Sequence, residues 1–130
     1  MQQRRSIMTF IALITLVALV TGCAVKTTPG TMTEGTTFTV TAMGMAFDTA
    51  TITVPAGAHL TITFRNNDEG VFHNIAFYMS SAATTFIYKG ARITGVSSIT
   101  YTFDAPTTPG MYFFRCDVHP TTMTGQFIVQ

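Results

Sequence analysis

Residues 51–64, Thr51-Ile52-Thr53-Val54-Pro55-Ala56-Gly57-Ala58-His59-Leu60-Thr61-Ile62-Thr63-Phe64, alternate apolar side chains with threonine on either side of a Pro-Ala-Gly turn. A period of two sends successive side chains to opposite faces of an extended chain, so each half reads as a strand with one buried and one wet face. His59 is out of phase with Leu60, Ile62 and Phe64 and is expected to face solvent. The same alternation runs through Phe38-Thr39-Val40-Thr41 upstream. Downstream, the turn-forming run Asn66-Asn67-Asp68-Glu69-Gly70 precedes a strand-like Val71 to Tyr78. Three more strands are expected: Ser98 to Phe103, Met111 to Arg115 after the turn Pro109-Gly110, and Gly125 to Val129. Met79 to Gly95 has weak periodicity and includes Ser80-Ser81-Ala82-Ala83, which predicts a short helical turn or an irregular excursion. Seven to eight short strands with no long helical stretch describe an all-β chain folded as an antiparallel β-sandwich.

Composition supports one such domain. The chain has 130 residues, 47% of them apolar, with 11 Phe and no Trp, and roughly one residue in five is threonine, a strand former. Charged residues make up 10% and the net charge is +1. No basic stripe is available to neutralise phosphates, so nucleic acid is not an expected partner.

The first segment reads as an export signal: a basic head with Arg4 and Arg5, an apolar run from Ile7 to Val20 broken by Thr9 and Thr15, then Thr21-Gly22-Cys23. Val20-Thr21-Gly22-Cys23 resembles the lipobox of bacterial lipoproteins, with valine where leucine is commoner. That resemblance implies a lipoprotein signal peptide at 1–22, cleaved after Gly22, and a lipidated Cys23 whose sulfur is consumed in a thioether. An ordinary signal peptide or an uncleaved anchor is the other reading. Ala24 to Thr36 is rich in Thr, Gly and Pro without apolar period, so 23–36 is expected to be a lipidated tether and 37–130 the folded domain. After cleavage, Lys26, Lys89, Arg65, Arg92 and Arg115 face Glu34, Glu69, Asp48, Asp68, Asp104 and Asp117, a formal charge of about −1.

The chain has 2 cysteines. With Cys23 lipidated, Cys116 has no intrachain disulfide partner in an oxidising compartment, and its neighbours suggest another use. Cys116-Asp117-Val118-His119-Pro120-Thr121-Thr122-Met123 holds a thiol, an imidazole and a thioether between two strands, and His73 lies in an earlier strand. Taken singly, a strand histidine is usually a surface or core residue, a free cysteine packs as a small apolar group, and methionine fills cores. Together, two His, one Cys and one Met form the donor set of a trigonal copper site with a weak axial ligand. Met43, Met45, Met79 and Met111 are read as packing residues. Asp48, Asp104 and Asp117 make no acid–base pair by spacing, and no nucleophile elbow or phosphate-binding glycine loop appears, so an enzyme is not expected.

The run from Pro109 to Gly125, Pro-Gly-Met-Tyr-Phe-Phe-Arg-Cys-Asp-Val-His-Pro-Thr-Thr-Met-Thr-Gly, resembles the copper loop of the cupredoxins, small blue copper proteins of plastocyanin and amicyanin type. Val54-Pro55-Ala56-Gly57, Asn66-Asn67-Asp68 and His73-Asn74 stand in the same order as in that family. The resemblance covers about 37–130. It implies a Greek-key sandwich holding one copper ion that cycles between Cu(I) and Cu(II), with His73, Cys116 and His119 as equatorial ligands and Met123 as the axial one. Asn74 would tie the His73 strand to the cysteine loop. Three residues separate His119 from Met123, between the usual lengths of plastocyanin-like and amicyanin-like loops. The implied function is single-electron shuttling by a monomer between membrane-associated redox proteins that dock near His119, on a rim including Pro120 and Phe72. The protein would be exported from a bacterial cytoplasm and lipid-anchored in a periplasmic or extracytoplasmic space. A lipoprotein for copper delivery or storage is the alternative.

Overall fold

The computed structural model describes residues 35–130. The expected signal peptide, the lipidation at Cys23 and the tether up to residue 34 lie outside the described residues. The described chain forms strands β1 (Thr36–Met43), β2 (Ala46–Phe47), β3 (Thr51–Val54), β4 (His59–Asn66), β5 (Phe72–His73), β6 (Ala76–Tyr78), β7 (Phe86–Lys89), β8 (Ile93–Thr94), β9 (Ser97–Asp104), β10 (Gly110–Arg115) and β11 (Thr124–Val129). One sheet has the order β2-β1-β4-β9 and the other β3-β11-β10-β6-β7, with β5-β8 as a separate ribbon.

The period-two pattern sets which side of each strand is buried. In β4, Leu60, Ile62, Phe64 and Asn66 are all fully buried. His59, out of phase, is exposed and its Nδ1 lies 2.6 Å from Oδ1 of its cross-strand partner Asp104. Val40, Ala42 and Tyr101 complete the inner face of that sheet, while Ile52, Val54, Phe77, Phe114, Phe127 and Val129 line the other. Burying such a side chain contributes roughly 1.5–3 kcal/mol each. Aromatic pairs join the two layers: Phe77 of β6 meets Phe103 of β9 at 4.9 Å between centroids, and Phe47 of β2 meets Phe114 of β10 at 5.5 Å. Offset and tilted pairs of this kind add about 0.5–1.5 kcal/mol beyond area burial.

The sandwich expected from the sequence is present, with differences in detail. Its sheets are mixed rather than wholly antiparallel: β1 runs parallel to β4 and β3 parallel to β11. Alternation reports which side chains are buried, not which way a neighbouring strand runs, so it is blind to this. Thr36, assigned to the tether, already pairs with Leu60. The strand expected from Val71 to Tyr78 is broken at Asn74-Ile75, and Met79 to Gly95 holds β7 and β8 beyond a single turn closed by Ala83 N–H donating to the Ser80 carbonyl at 3.0 Å. Met43, Met45, Met79 and Met111 are exposed, at 68, 44, 49 and 68%, and not packed in the core. Met43 and Met111 occupy the outward phase of β1 and β10, and Met45 and Met79 sit in or beside turns.

Gly125 pairs with Phe114 in the β10–β11 register. A Cβ there would run into the Phe114 ring and lie 2.8 Å from the Ala50 carbonyl oxygen. The missing side chain thus lets Phe114 lie over β11 and reach Phe47 and Phe77. Gly125→Ala is expected to destabilise the protein by about 1–3 kcal/mol through overpacking. Denaturant unfolding monitored by far-UV circular dichroism checks this, and an unchanged midpoint would contradict it.

Candidate metal centre

Three donors meet at one end of the sandwich. Residues 116–123 connect β10 to β11, and the loop is closed by Cys116 N–H donating to the Met123 carbonyl at 2.9 Å. Within it the N–H groups of Thr122 and Met123 point at the His119 carbonyl, at 3.4 and 3.1 Å. This compact turn carries His119 back over Cys116 and leaves Cys116 and Met123 inside the core, 0 and 1% exposed. His73 comes from β5, where the two-residue alternation turns Phe72 outward (54% exposed) and His73 fully inward.

Asn74 joins the two segments. Its Nδ2 donates to the Gly90 carbonyl at 3.0 Å and its Oδ1 accepts from Asp117 N–H at 2.8 Å. The bond to Gly90 is buried and the one from Asp117 partly so, which limits competition from water. They substitute for ladder bonds where the expected strand breaks, and they hold the backbone beside His73 against the backbone beside Cys116.

The resulting donor triangle is small. His73 Nδ1 and His119 Nδ1 are 3.1 Å apart, and Cys116 Sγ is 3.7 Å from the first and 3.9 Å from the second. A point equidistant from three such atoms lies about 2.1 Å from each, close to ordinary metal–imidazole lengths of about 2.0–2.1 Å and slightly below metal–thiolate lengths of about 2.3 Å. The triangle therefore fits a single metal ion. Among the described residues this is the group of His, Cys, Asp or Glu side chains placed to hold one. A thiolate with a thioether nearby favours a soft metal, and imidazoles accept either copper oxidation state. His119 is half-buried and Pro120 exposed, whereas His73 is sealed.

Charged groups frame the triangle on two sides. Asp68 Oδ2 lies 2.8 Å from His73 Nε2, and the carboxylate also accepts N–H bonds from Gly44 at 2.6 Å and Met45 at 3.0 Å. The bonds from Met45 and Gly44, with a smaller contribution from His73, hold the Asp68 carboxyl below its usual range against a modest opposing effect of burial. Next to Cys116, Asp117 accepts from the Tyr78 hydroxyl at 2.5 Å and Arg115 Nε at 3.0 Å, with Lys89 Nζ at 3.6 Å. Burial would raise the Asp117 carboxyl, but these three donors outweigh it and keep it low. Among the described residues no buried side-chain nitrogen or oxygen lacks a partner.

The structure brings His73, Cys116 and His119 together, buries Met123 behind them and places Asn74 between the two segments. Cys23 lies outside the described residues. Two participants were not singled out from the sequence. Asn66 is fully buried and donates through Nδ2 to the Val71 and Ile93 carbonyls at 2.7 and 2.9 Å, shaping the loop before His73. Its signal was the inward phase of Leu60, Ile62 and Phe64 continuing one step further. Asp68 read as a turn residue and as part of the family-like run Asn66-Asn67-Asp68, and nothing in either reading pointed to a contact with the histidine five positions on.

Comparisons agree with this geometry. The family model described as a cupredoxin-like domain matches residues 10–129. Among solved structures, auracyanin A, a "blue" copper protein from the green thermophilic photosynthetic bacterium Chloroflexus aurantiacus, is 25% identical with a TM-score of 0.66, over 74% of this chain and 99% of its own. Dithionite-reduced auracyanin from Roseiflexus castenholzii is 27% identical with a TM-score of 0.67, over 75% and 98%. Amicyanin from Paracoccus versutus is 26% identical with a TM-score of 0.51, over 71% and 79%. No curated protein sequence matches the chain.

Asn74→Ala leaves the Gly90 carbonyl and the Asp117 N–H without their side-chain partner. The expected loss is about 1–3 kcal/mol for the buried Gly90 carbonyl, with a smaller addition from the part-buried Asp117 N–H. Urea unfolding of the metal-free protein measures it, and a variant as stable as the parent would show that the bridge contributes nothing.

Proposed function

The chain belongs to the cupredoxin-like family, and from that premise we propose that it is a mononuclear blue copper protein that carries single electrons. The observation that supports this most is the donor triangle of His73, Cys116 and His119, with edges of 3.1, 3.7 and 3.9 Å, backed by a buried Met123. Bound there, copper would supply a one-electron couple between Cu(I) and Cu(II). His73, Cys116 and His119 would hold it, with the thioether of the buried Met123 as a fourth donor, so that the protein itself would supply the donors.

The polypeptide's part is to keep the donors still. The loop bond from Cys116 to Met123, the Asn74 bridge and the packed rings of Phe114, Phe77 and Phe47 oppose any change in ligand positions between oxidation states. Low rearrangement is what fast electron transfer requires. His119, half-open to solvent and followed by exposed Pro120, with Phe72 exposed on the strand that carries His73, is the route by which electrons would enter and leave. Redox proteins would dock on that apolar rim, and the low charge of the chain favours contact recognition over long-range steering. The protein acts as a monomer in this reading.

The export signal at 1–22 and the lipobox-like Val20-Thr21-Gly22-Cys23 support delivery to a periplasmic or extracytoplasmic space and anchoring to the membrane through Cys23. Copper delivery or storage, the alternative, calls for a site that exchanges its metal. Full burial of His73 and Cys116 argues against easy exchange.

Adding Cu(II) to the protein is expected to give an intense visible thiolate-to-copper charge-transfer band, absent in Cys116→Ser. A colourless copper complex would overturn the electron-carrier reading, and rapid loss of copper to a weak chelator would favour delivery instead. Bound copper should also raise the thermal midpoint, because a ligand at about 1,000 times its dissociation constant stabilises the fold by about 4.1 kcal/mol. Scanning calorimetry with and without copper measures that gain, and an unchanged midpoint would count against specific binding.

A further inference from the structure

We propose that Asp68 is a positioning residue for His73: it fixes the tautomer and orientation of the ring and, through it, biases the site toward Cu(II). The inference rests on the copper reading above, but its first step concerns the ring alone.

A carboxylate offers only acceptors, so a contact of 2.8 Å between Asp68 Oδ2 and His73 Nε2 requires the proton to sit on Nε2. In the neutral ring Nδ1 then keeps its lone pair, facing Cys116 Sγ at 3.7 Å and His119 Nδ1 at 3.1 Å. Asp68 is itself held from both ends. Its backbone N–H donates to the buried Asn66 Oδ1 at 3.0 Å, and its carbonyl accepts from Val71 N–H at 3.1 Å. Its carboxylate closes on the turn after β1, where Gly44 and Met45 both have positive φ, 63 and 62°, and direct their N–H groups at its two oxygens. The carboxylate therefore cannot swing away from the ring without abandoning two backbone donors. Its side chain is 14% exposed, so solvent screens it only partly from the fully buried imidazole.

A ligating histidine that donates its far N–H to a carboxylate is a more basic and better oriented ligand, and loss of such a partner typically lowers metal affinity by 10- to 100-fold. A more basic nitrogen favours the more highly charged ion, so the loss falls more heavily on Cu(II) than on Cu(I).

Two measurements test this. In wild-type protein without metal, nitrogen-15 NMR should show His73 protonated on Nε2, with a slowly exchanging ring proton that is lost in Asp68→Ala. In copper-loaded Asp68→Asn and Asp68→Ala, Cu(II) affinity should fall about tenfold more than Cu(I) affinity, which raises the reduction potential by about 59 mV for a one-electron couple. A purely structural role in capping the Gly44-Met45 turn would lower stability without moving the potential. The proposal is overturned by an unchanged potential in a folded variant, or by a wild-type ring protonated on Nδ1. The ring measurement needs no variant and no copper. A protein that bound no copper would fail the reading of the previous subsection, while the ring result would still decide the role of Asp68.

Discussion

The amide of Asn74 is the constraint on which the rest of the site depends. His73 and Cys116 are 43 residues apart in the chain, and the β6–β10 ladder that brings their segments together ends at the Ala76–Arg115 pair, short of both donors. By accepting from Asp117 N–H and donating to the Gly90 carbonyl, Asn74 converts this neighbourhood into a fixed distance. A buried polar group must be satisfied or it costs stability, so one side chain with two partners at defined positions specifies the approach more sharply than apolar packing would.

Behind that bridge the sandwich acts as a stiff mount. Phe114 precedes the loop by two residues, lies over Gly125 and packs on Phe77 and Phe47. Close-packed interiors transmit displacement rather than absorb it, so a shift of Cys116 would have to move several rings at once. The same design makes the site asymmetric. His73 is sealed, with Asp68 on its far nitrogen, whereas His119 is half-buried and followed by the exposed Pro120. One imidazole is enclosed and the other is partly open to solvent.

Much of this was legible in the sequence, for identifiable reasons. Alternation of Leu60, Ile62 and Phe64 with threonine marked a half-buried strand because the pleat has a period of two, and the outward phase of His59 followed from the same count. The grouping of Cys116, His119 and Met123 was visible because one short loop carries all three. Strand direction was not legible, since β1 beside β4 and β3 beside β11 show the same alternation whichever way they run. Two-residue strands such as β5 and β8 are too short to have a period at all. Methionine is equally at home in a core or on a surface, and only the strand phase decided that Met43 and Met111 point outward. Asp68 was hidden for a different reason: its role comes from a contact across three segments, the turn at Gly44-Met45, its own loop and β5.

The central claim is that the same protein donors hold one copper ion, nearly unmoved, in both oxidation states. X-ray absorption fine structure of the oxidised and the reduced protein tests it directly. One close sulfur and two nitrogen neighbours are expected in each state, with distances that change little on reduction. Loss of a nitrogen neighbour, an oxygen ligand from water, or no sulfur in the inner sphere of either state would contradict it.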